Sequence, residues 1–190
     1  MPPRTQVVIR PIPATSTSLL RHTVLWPSIP LAAQLLPYDH EPTTAHLGAF
    51  LPVPPANFGL HDVPNDYSPG ALDPQPVGCL TVVFEEYLGA LPNDIKARGP
   101  IRQQVQLHKF AVLQQLQGQR IGRRLIERAL ADLASLDAGR ILFHFDARLD
   151  QIGFYERLGM RILDPRVFIK YGPTGDGPPI EHIRMGKIID

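Results

Sequence analysis

The hydrophobic pattern of this chain changes period at Gly118, and that change narrows the folds open to it. IRQQVQLHKFAVL, residues 101–113, alternates weakly and then becomes continuously apolar, as a strand entering the middle of a sheet does. Beyond Gly118 the residues Ile121, Leu125, Ala129, Leu130, Leu133 and Leu136 fall on one helical stripe, which Gly139 ends. A central strand that feeds an amphipathic helix needs a sheet with helices packed on it, so the pattern points to mixed α/β layers.

The other segments fit that arrangement. QVVIRPI (6–12), AHLGAFLPV (45–53), GCLTVVFEEYL (78–88) and RILFHFDA (140–147) read as strands, as do VFIKYG and EHIRMGKII near the end. A helical segment opens at Thr17-Ser18-Leu19-Leu20-Arg21, with Leu20, Val24 and Leu25 on one face and Pro27 closing it. QIGFYERLG (151–159) is a short helix that stops at Gly159. The expected order is β-α-β-β-β-α-β-α-β-β, with 45–53 and 78–88 forming an antiparallel pair.

Seven prolines between Pro52 and Pro76 rule out a regular helix or central strand there, so 54–77 is read as a long loop inserted in a single domain spanning 1–190. The 53 residues before it are too few for an independent core, whereas 190 residues at 44% hydrophobic composition suffice for one. A formal charge of +1 gives no global field toward nucleic acid or an anionic membrane. The single cysteine, Cys79, lies in an apolar strand and reads as packing rather than as a reactive thiol. No stretch is apolar enough to cross a bilayer and no leader pattern opens the chain, so a cytoplasmic location is expected. The seven histidines lack ligand spacing, so no metal is expected.

The turn QGQRIGRRL (117–125) sits where a helix N-terminus would offer unpartnered amides and partial positive charge. Gly118 and Gly122 allow close approach of a phosphate, and Arg120, Arg123, Arg124 and Arg128 add charge that Glu127 partly offsets. Glycines also simply tighten turns, and arginines on a first turn are commonly solvated; on the turn alone both readings stand. The sequence contains neither GxxxxGK[ST] nor, at this turn, GxGxxG.

KFAVLQQLQGQRIGRRLIERAL followed by GFYERLGM resembles the GCN5-related N-acetyltransferase (GNAT) superfamily, whose acetyl-CoA loop follows [RQ]-x-x-G-x-[GA] and whose last conserved helix carries FYxxLGF. IEHIRMGKI, LRHTVLWP and HLGAF resemble a poorly characterised GNAT subgroup with a P-x-H-x-x-M ending. The resemblance implies a GNAT fold with a mixed, mostly antiparallel sheet, acetyl-CoA as co-substrate, and transfer of an acetyl group to a primary amine of a small molecule or peptide in a ternary complex. It also admits a catalytically weak module that only binds acyl-CoA. No nucleic-acid or membrane partner is implied, and the protein is expected to be a monomer or homodimer. Arg120 stands where the loop pattern usually has glycine, and Arg148 where many relatives have asparagine.

Residue by residue, the resemblance places Phe110, Ala111 and Val112 along the pantetheine arm and the amides of Gln119, Arg120, Ile121, Gly122 and Arg123 around the diphosphate, with Gln117, Gly118 and Phe154 completing the cofactor set. Tyr155 matches the tyrosine that protonates the departing sulfur, although an FY pair on a short helix is equally a core feature. His108 shares a face with Phe110 and Val112 if the strand keeps period two, and the resemblance implies a base role, since some GNAT amine acetylases carry a histidine at the matching place and use it through water; Glu85 and Glu86 are rivals. His46, Glu85 and His182 are candidates for the acceptor side, and the loop acids Asp62, Asp66 and Asp73 would favour a cationic amine if that loop borders it.

Overall fold

A computed structural model describes residues 6–52, 75–172, 175 and 177–190. Most of the expected loop 54–77, with its three aspartates, therefore lies outside the described residues. The strands are β1 (Val8–Pro11), β2 (Ala45–Phe50), β3 (Gly78–Phe84), β4 (Gln103–Val112), β5 (Ile141–Arg148), β6 (Arg161–Lys170) and β7 (Ile180–Ile189). They form one seven-stranded sheet in the order β1-β2-β3-β4-β5-β7-β6, flanked by helices. The pairs β1–β2, β2–β3, β5–β7 and β6–β7 are antiparallel, and β4–β5 is parallel. The sheet is thus mixed and mostly antiparallel, and the two strands on either side of the proline-rich segment do pair, Leu47 opposite Leu80.

The helices are α1 (Ser18–Leu20), α2 (Asn93–Ala97), α3 (Ile121–Ala134) and α4 (Ile152–Glu156). A 3₁₀ turn at Ala14–Thr17 leads into α1, and a π turn at Arg21–Leu25 continues it, closed by Trp26 N–H donating to Arg21 O at 2.8 Å. Pro27 then prevents another turn. The helix α2 was not expected: five residues, NDIKA, are too few for a periodic signal. The α3 stripe is buried at Ile121, Leu125, Ala129 and Leu133, but Leu136 is exposed because the helix ends at Ala134. Ser135 Oγ donates to Asp132 O at 2.6 Å, one of the bonds of the closing turn. Among the described residues no helix is long and apolar enough to cross a membrane.

The chain divides into two compact units, one of Met1–Val82 with His108–Ala129 and the other of Val83–Leu107 with Leu130–Asp190. In the first, Leu19, Leu20, Leu47, Leu80, Ile121, Leu125 and Ile126 are buried. Cys79 is buried with them, and burial pushes its thiol up to about 12, so it packs as a small apolar residue. In the second unit Tyr87, Ile95, Leu142 and Leu163 form a core with Leu91, Ile101 and Ile188 against it.

The strand β4 is not regular. Leu113 N–H donates to Val77 O, and Glu85 N–H donates to Gln104 O. Val77 to Glu85 is eight steps along β3, whereas Gln104 to Leu113 is nine along β4, so β4 carries one extra residue. Lys109, with φ +28°, lies between those bonds and marks the irregularity. Alternation therefore breaks there: Val105 and Leu107 are buried in alternate positions before it, while Ala111, Val112 and Leu113 are buried consecutively after it. The condition that β4 keeps period two from His108 to Val112 does not hold, and the shared face inferred from it does not follow.

Candidate active site

The first unit contains the turn between β4 and α3. Leu113 ends the strand, a 3₁₀ turn covers Gln114–Leu116, and Gln117 Nε2 donates back to Val112 O at 3.2 Å. Gly118 then takes φ +79° and Arg120 takes φ +66°, which delivers the chain into α3. Arg120 stands where the loop pattern usually has glycine, and it does not avoid that requirement by taking helical dihedrals. Arg120 instead takes the left-handed conformation that glycine adopts readily, at a cost of roughly 1–2 kcal/mol for a residue with a Cβ.

The turn suits a diphosphate. The first backbone bond inside the helix is Arg124 N–H to Arg120 O at 3.1 Å, so the amides of Ile121, Gly122 and Arg123 precede any i−4 acceptor. Gln117–Arg120 are exposed, and nothing in the described structure lies within 4 Å of the position a Cβ on Gly118 would occupy. Arg123 stands beside this opening, with its Nε on Glu127 Oε1 at 2.7 Å. Gly122 has a different reason to be glycine. A Cβ there would meet the Phe110 ring at 2.8 Å and Val112 at 3.6 Å, so Gly122 is where the start of α3 meets the end of β4. Phe110, Val112, Gln117 and Gly122 are thereby brought together.

His108 is half-buried, and its ring lies 4.6 Å from that of Tyr38 at an interplanar angle of 38°. The next residue, Lys109, places its ammonium 4.3 Å from the centroid of Trp26. His46 is buried on β2, with Nδ1 2.9 Å from Thr81 Oγ1 and Nε2 3.9 Å from Asp39 Oδ1. Burial lowers its pKa, the Asp39 charge opposing, so the ring is neutral at neutral pH. It belongs to a polar knot centred on Arg21, which is 0% exposed. Arg21 Nη1 donates to Asp39 Oδ2 at 2.5 Å and to Gln34 O at 3.0 Å; Nη2 donates to Asp39 Oδ1 at 2.8 Å and to Thr81 Oγ1 at 2.9 Å. Burial pushes the Asp39 carboxyl up, but the Arg21 and Leu36 hydrogen bonds and the Arg21 charge together hold it below its usual value.

The second unit contains the other candidates. Tyr155, on α4, is 9% exposed, with its ring 4.3 Å from Phe145 and 5.0 Å from Phe154. Burial, and then the Asp150 charge, hold its phenol well above the ordinary range, so it stays protonated and keeps a proton to donate. Glu85 is exposed; the Gln106 amide, oriented nitrogen first, reaches its carboxylate at 3.1 and 3.3 Å. The Glu85 carbonyl lies 2.9 Å from Nε2 of His144, a buried histidine on β5 that sequence reasoning did not single out. Burial lowers the His144 pKa. His182, on β7, has Nδ1 2.8 Å from Ile180 O and its ring 6.0 Å from Phe168; its pKa too is lowered chiefly by burial. Glu85 and His182 thus have different neighbours. Arg148 pairs with Asp150 at 3.3 Å on the surface. Among the described residues no group of three His, Cys, Asp or Glu is placed to hold a metal ion.

A family model described as "Acetyltransferase (GNAT) family" matches residues 34–160, well over half of the 190. The chain belongs to the GNAT acetyltransferase family. The match takes in β4, the diphosphate-type turn and α4 together, and GNAT enzymes are acyltransferases. No curated protein is matched by sequence. Solved GNAT structures share the fold. An IAA acetyltransferase from Bacillus cereus ATCC 14579 is 17% identical with a TM-score of 0.55, covering 96% of this chain and 99% of its own. Arabidopsis thaliana NAA60 in complex with acetyl-CoA is 14% identical with a TM-score of 0.60, at 97% and 99% coverage. An aminoglycoside 6'-N-acetyltransferase complexed with coenzyme A is 17% identical with a TM-score of 0.53, at 96% and 97%. The fold, and the use of acetyl-CoA or CoA among these GNAT neighbours, agree with what the sequence motifs imply.

Proposed function

We propose that this GNAT protein is an acetyl-CoA-dependent N-acetyltransferase that moves the acetyl group to a primary amine of a small molecule or peptide by direct attack in a ternary complex. The observation that carries this reading is the exposed turn before α3, kept in left-handed conformation at both Gly118 and Arg120, with first-turn amides beyond it that precede any i−4 acceptor. A strained arginine at a helix entrance is retained where the turn's shape matters more than its stability. In this reading the amides of Gln119 to Arg123, together with Gln117 and Gly118, hold the diphosphate, and the backbone of Phe110, Ala111 and Val112 lies along the pantetheine arm. Phe154 supports the same ligand. Bound acetyl-CoA supplies the activated acyl carbon and a thiolate leaving group.

His108 is proposed as the group that receives the amine proton and Tyr155 as the donor to the departing sulfur, both from their places in the GNAT motifs. His46, Glu85 and His182 are proposed for the acceptor side. The burial of Tyr155 between Phe145 and Phe154 favours a second reading, a catalytically weak acyl-CoA-binding module in which the tyrosine is packing.

Thermal shift with acetyl-CoA and with CoA tests the ligand, since a molecule that binds only the folded state raises its stability. Thiol release with polyamines, arylamines, amino acids and peptides then separates enzyme from module. Tyr155→Phe should lower kcat with acetyl-CoA binding intact; loss of both together would assign the tyrosine to packing. An absence of any shift at saturating acetyl-CoA would end the reading.

A further inference from the structure

We propose that Tyr38 is a positioning residue for His108 and that the buried Arg21–Asp39 pair is the anchor that fixes it. The proposal rests on the reading above in which His108 receives the proton. His108 is the last residue before the irregularity: the next residue, Lys109, takes φ +28° and alternation fails from there, so the strand continues regularly on only one side of the imidazole. A side chain at such a place needs an outside support, and the Tyr38 ring at 4.6 Å provides one.

Tyr38 is itself held on both sides. It lies in the 3₁₀ turn Pro37–His40, whose Asp39 carboxylate accepts from Leu36 N–H at 2.7 Å and from both terminal nitrogens of Arg21. The Tyr38 carbonyl accepts from Thr44 Oγ1 at 2.6 Å. Arg21 also holds Gln34 O and, on β3, Thr81 Oγ1, so one guanidinium ties this turn to the sheet. The same segment supports the residue after His108: Gln34 Nε2 donates to Trp26 O at 3.2 Å, and the Trp26 ring receives the Lys109 ammonium. Two consecutive residues at the β4 irregularity are thus each seated on an aromatic ring from the segment that Arg21 organises. Apolar residues of similar volume can often replace a buried ion pair with little loss of stability, so the placement that Arg21 and Asp39 enforce is the fuller account of the pair.

The test is a kinetic cycle on Tyr38→Ala, Tyr38→Leu, Tyr38→Phe, His108→Ala and Tyr38→Ala/His108→Ala, using acetyl-CoA and the best amine of the panel. Tyr38→Ala and Tyr38→Leu should lower kcat roughly tenfold with KM for acetyl-CoA unchanged, the scale of a small misplacement. Tyr38→Phe should stay within about twofold of the parent, because the ring and not the hydroxyl provides the support. In the His108→Ala background, Tyr38→Ala should add no further loss, as expected of a residue that acts through another. Independent, additive losses would overturn the proposal, as would an unchanged kcat in both Tyr38→Ala and Tyr38→Leu while His108→Ala is slow. A parent protein that binds acetyl-CoA but releases no thiol with any amine would remove the enzymatic reading and this role with it.

Discussion

Two arginine–aspartate pairs, one in each unit, have nearly the same geometry and opposite surroundings. Arg21 grips Asp39 through both carboxylate oxygens at 2.5 and 2.8 Å, with both side chains 0% exposed. Arg161 grips Asp94 in the same fork at 2.6 and 2.8 Å, with side chains 47% and 58% exposed. Geometry therefore says little about what such a pair contributes. Water screens the second pair and can replace either partner, whereas nothing replaces a lost partner in the first.

The largest expected effect is on the buried pair. Asp39→Ala should destabilise the protein by about 3–5 kcal/mol, because it leaves the Arg21 charge buried without its counter-ion. Urea melts measure this, and a loss below about 1 kcal/mol would show that water or a neighbour compensates. Arg21→Met with Asp39→Leu should recover much of that stability, since no lone charge remains.

Next comes pH. His46 in the first unit and His144 in the second have pKa values lowered chiefly by burial, so the folded state keeps them neutral while the unfolded chain binds protons below about 6.5. Stability associated with them is complete above that value and falls as pH drops toward their folded pKa, by at most about 1.4 kcal/mol per pH unit for each group. Melts at pH 7.5, 6.0 and 5.0 should show the decline, and His144→Gln should reduce its slope. The Asp39 carboxyl titrates lower: its contribution is present above about 3.9 and lost only below that, so it does not confuse the histidine window.

A smaller effect is expected at the α3 entrance. Arg120→Gly should stabilise the fold by up to about 1 kcal/mol, the relief of a left-handed Cβ less the greater freedom of glycine in the unfolded chain. Gly118→Ala should destabilise by a comparable amount, since its φ is +79°. The smallest effect belongs to the exposed pair, where Asp94→Ala should leave the melting midpoint unchanged within error. A clear fall there would erase the contrast between the two pairs.

The parts of the molecule legible in the sequence are those written in local pattern. The switch from strand to helix near Gly118, the QGQRIG turn and the FY helix are contiguous, and each carries its own periodicity or motif. The Arg21–Asp39 pair is not local. Its members are separated by three prolines, at 27, 30 and 37, and LRHTVLWP gives only an arginine on a helical segment while PYDHEP reads as a turn. Nothing in spacing says that they meet. The irregularity in β4 was hidden for a related reason: KF contains no glycine to announce a positive φ, and only counting bonded positions on both strands exposes the additional residue. At Arg120 the sequence showed that a rule was broken, but not whether the backbone or the residue had given way.

Both margins of the sheet, β1 and β6, carry a proline, Pro11 in one and Pro165 in the other. Neither residue has an amide hydrogen to offer an incoming strand, and β6 also presents Arg166 and Lys170 along its length. The protein's rims are thereby poor templates for chain-to-chain growth, which favours solubility during folding at high concentration.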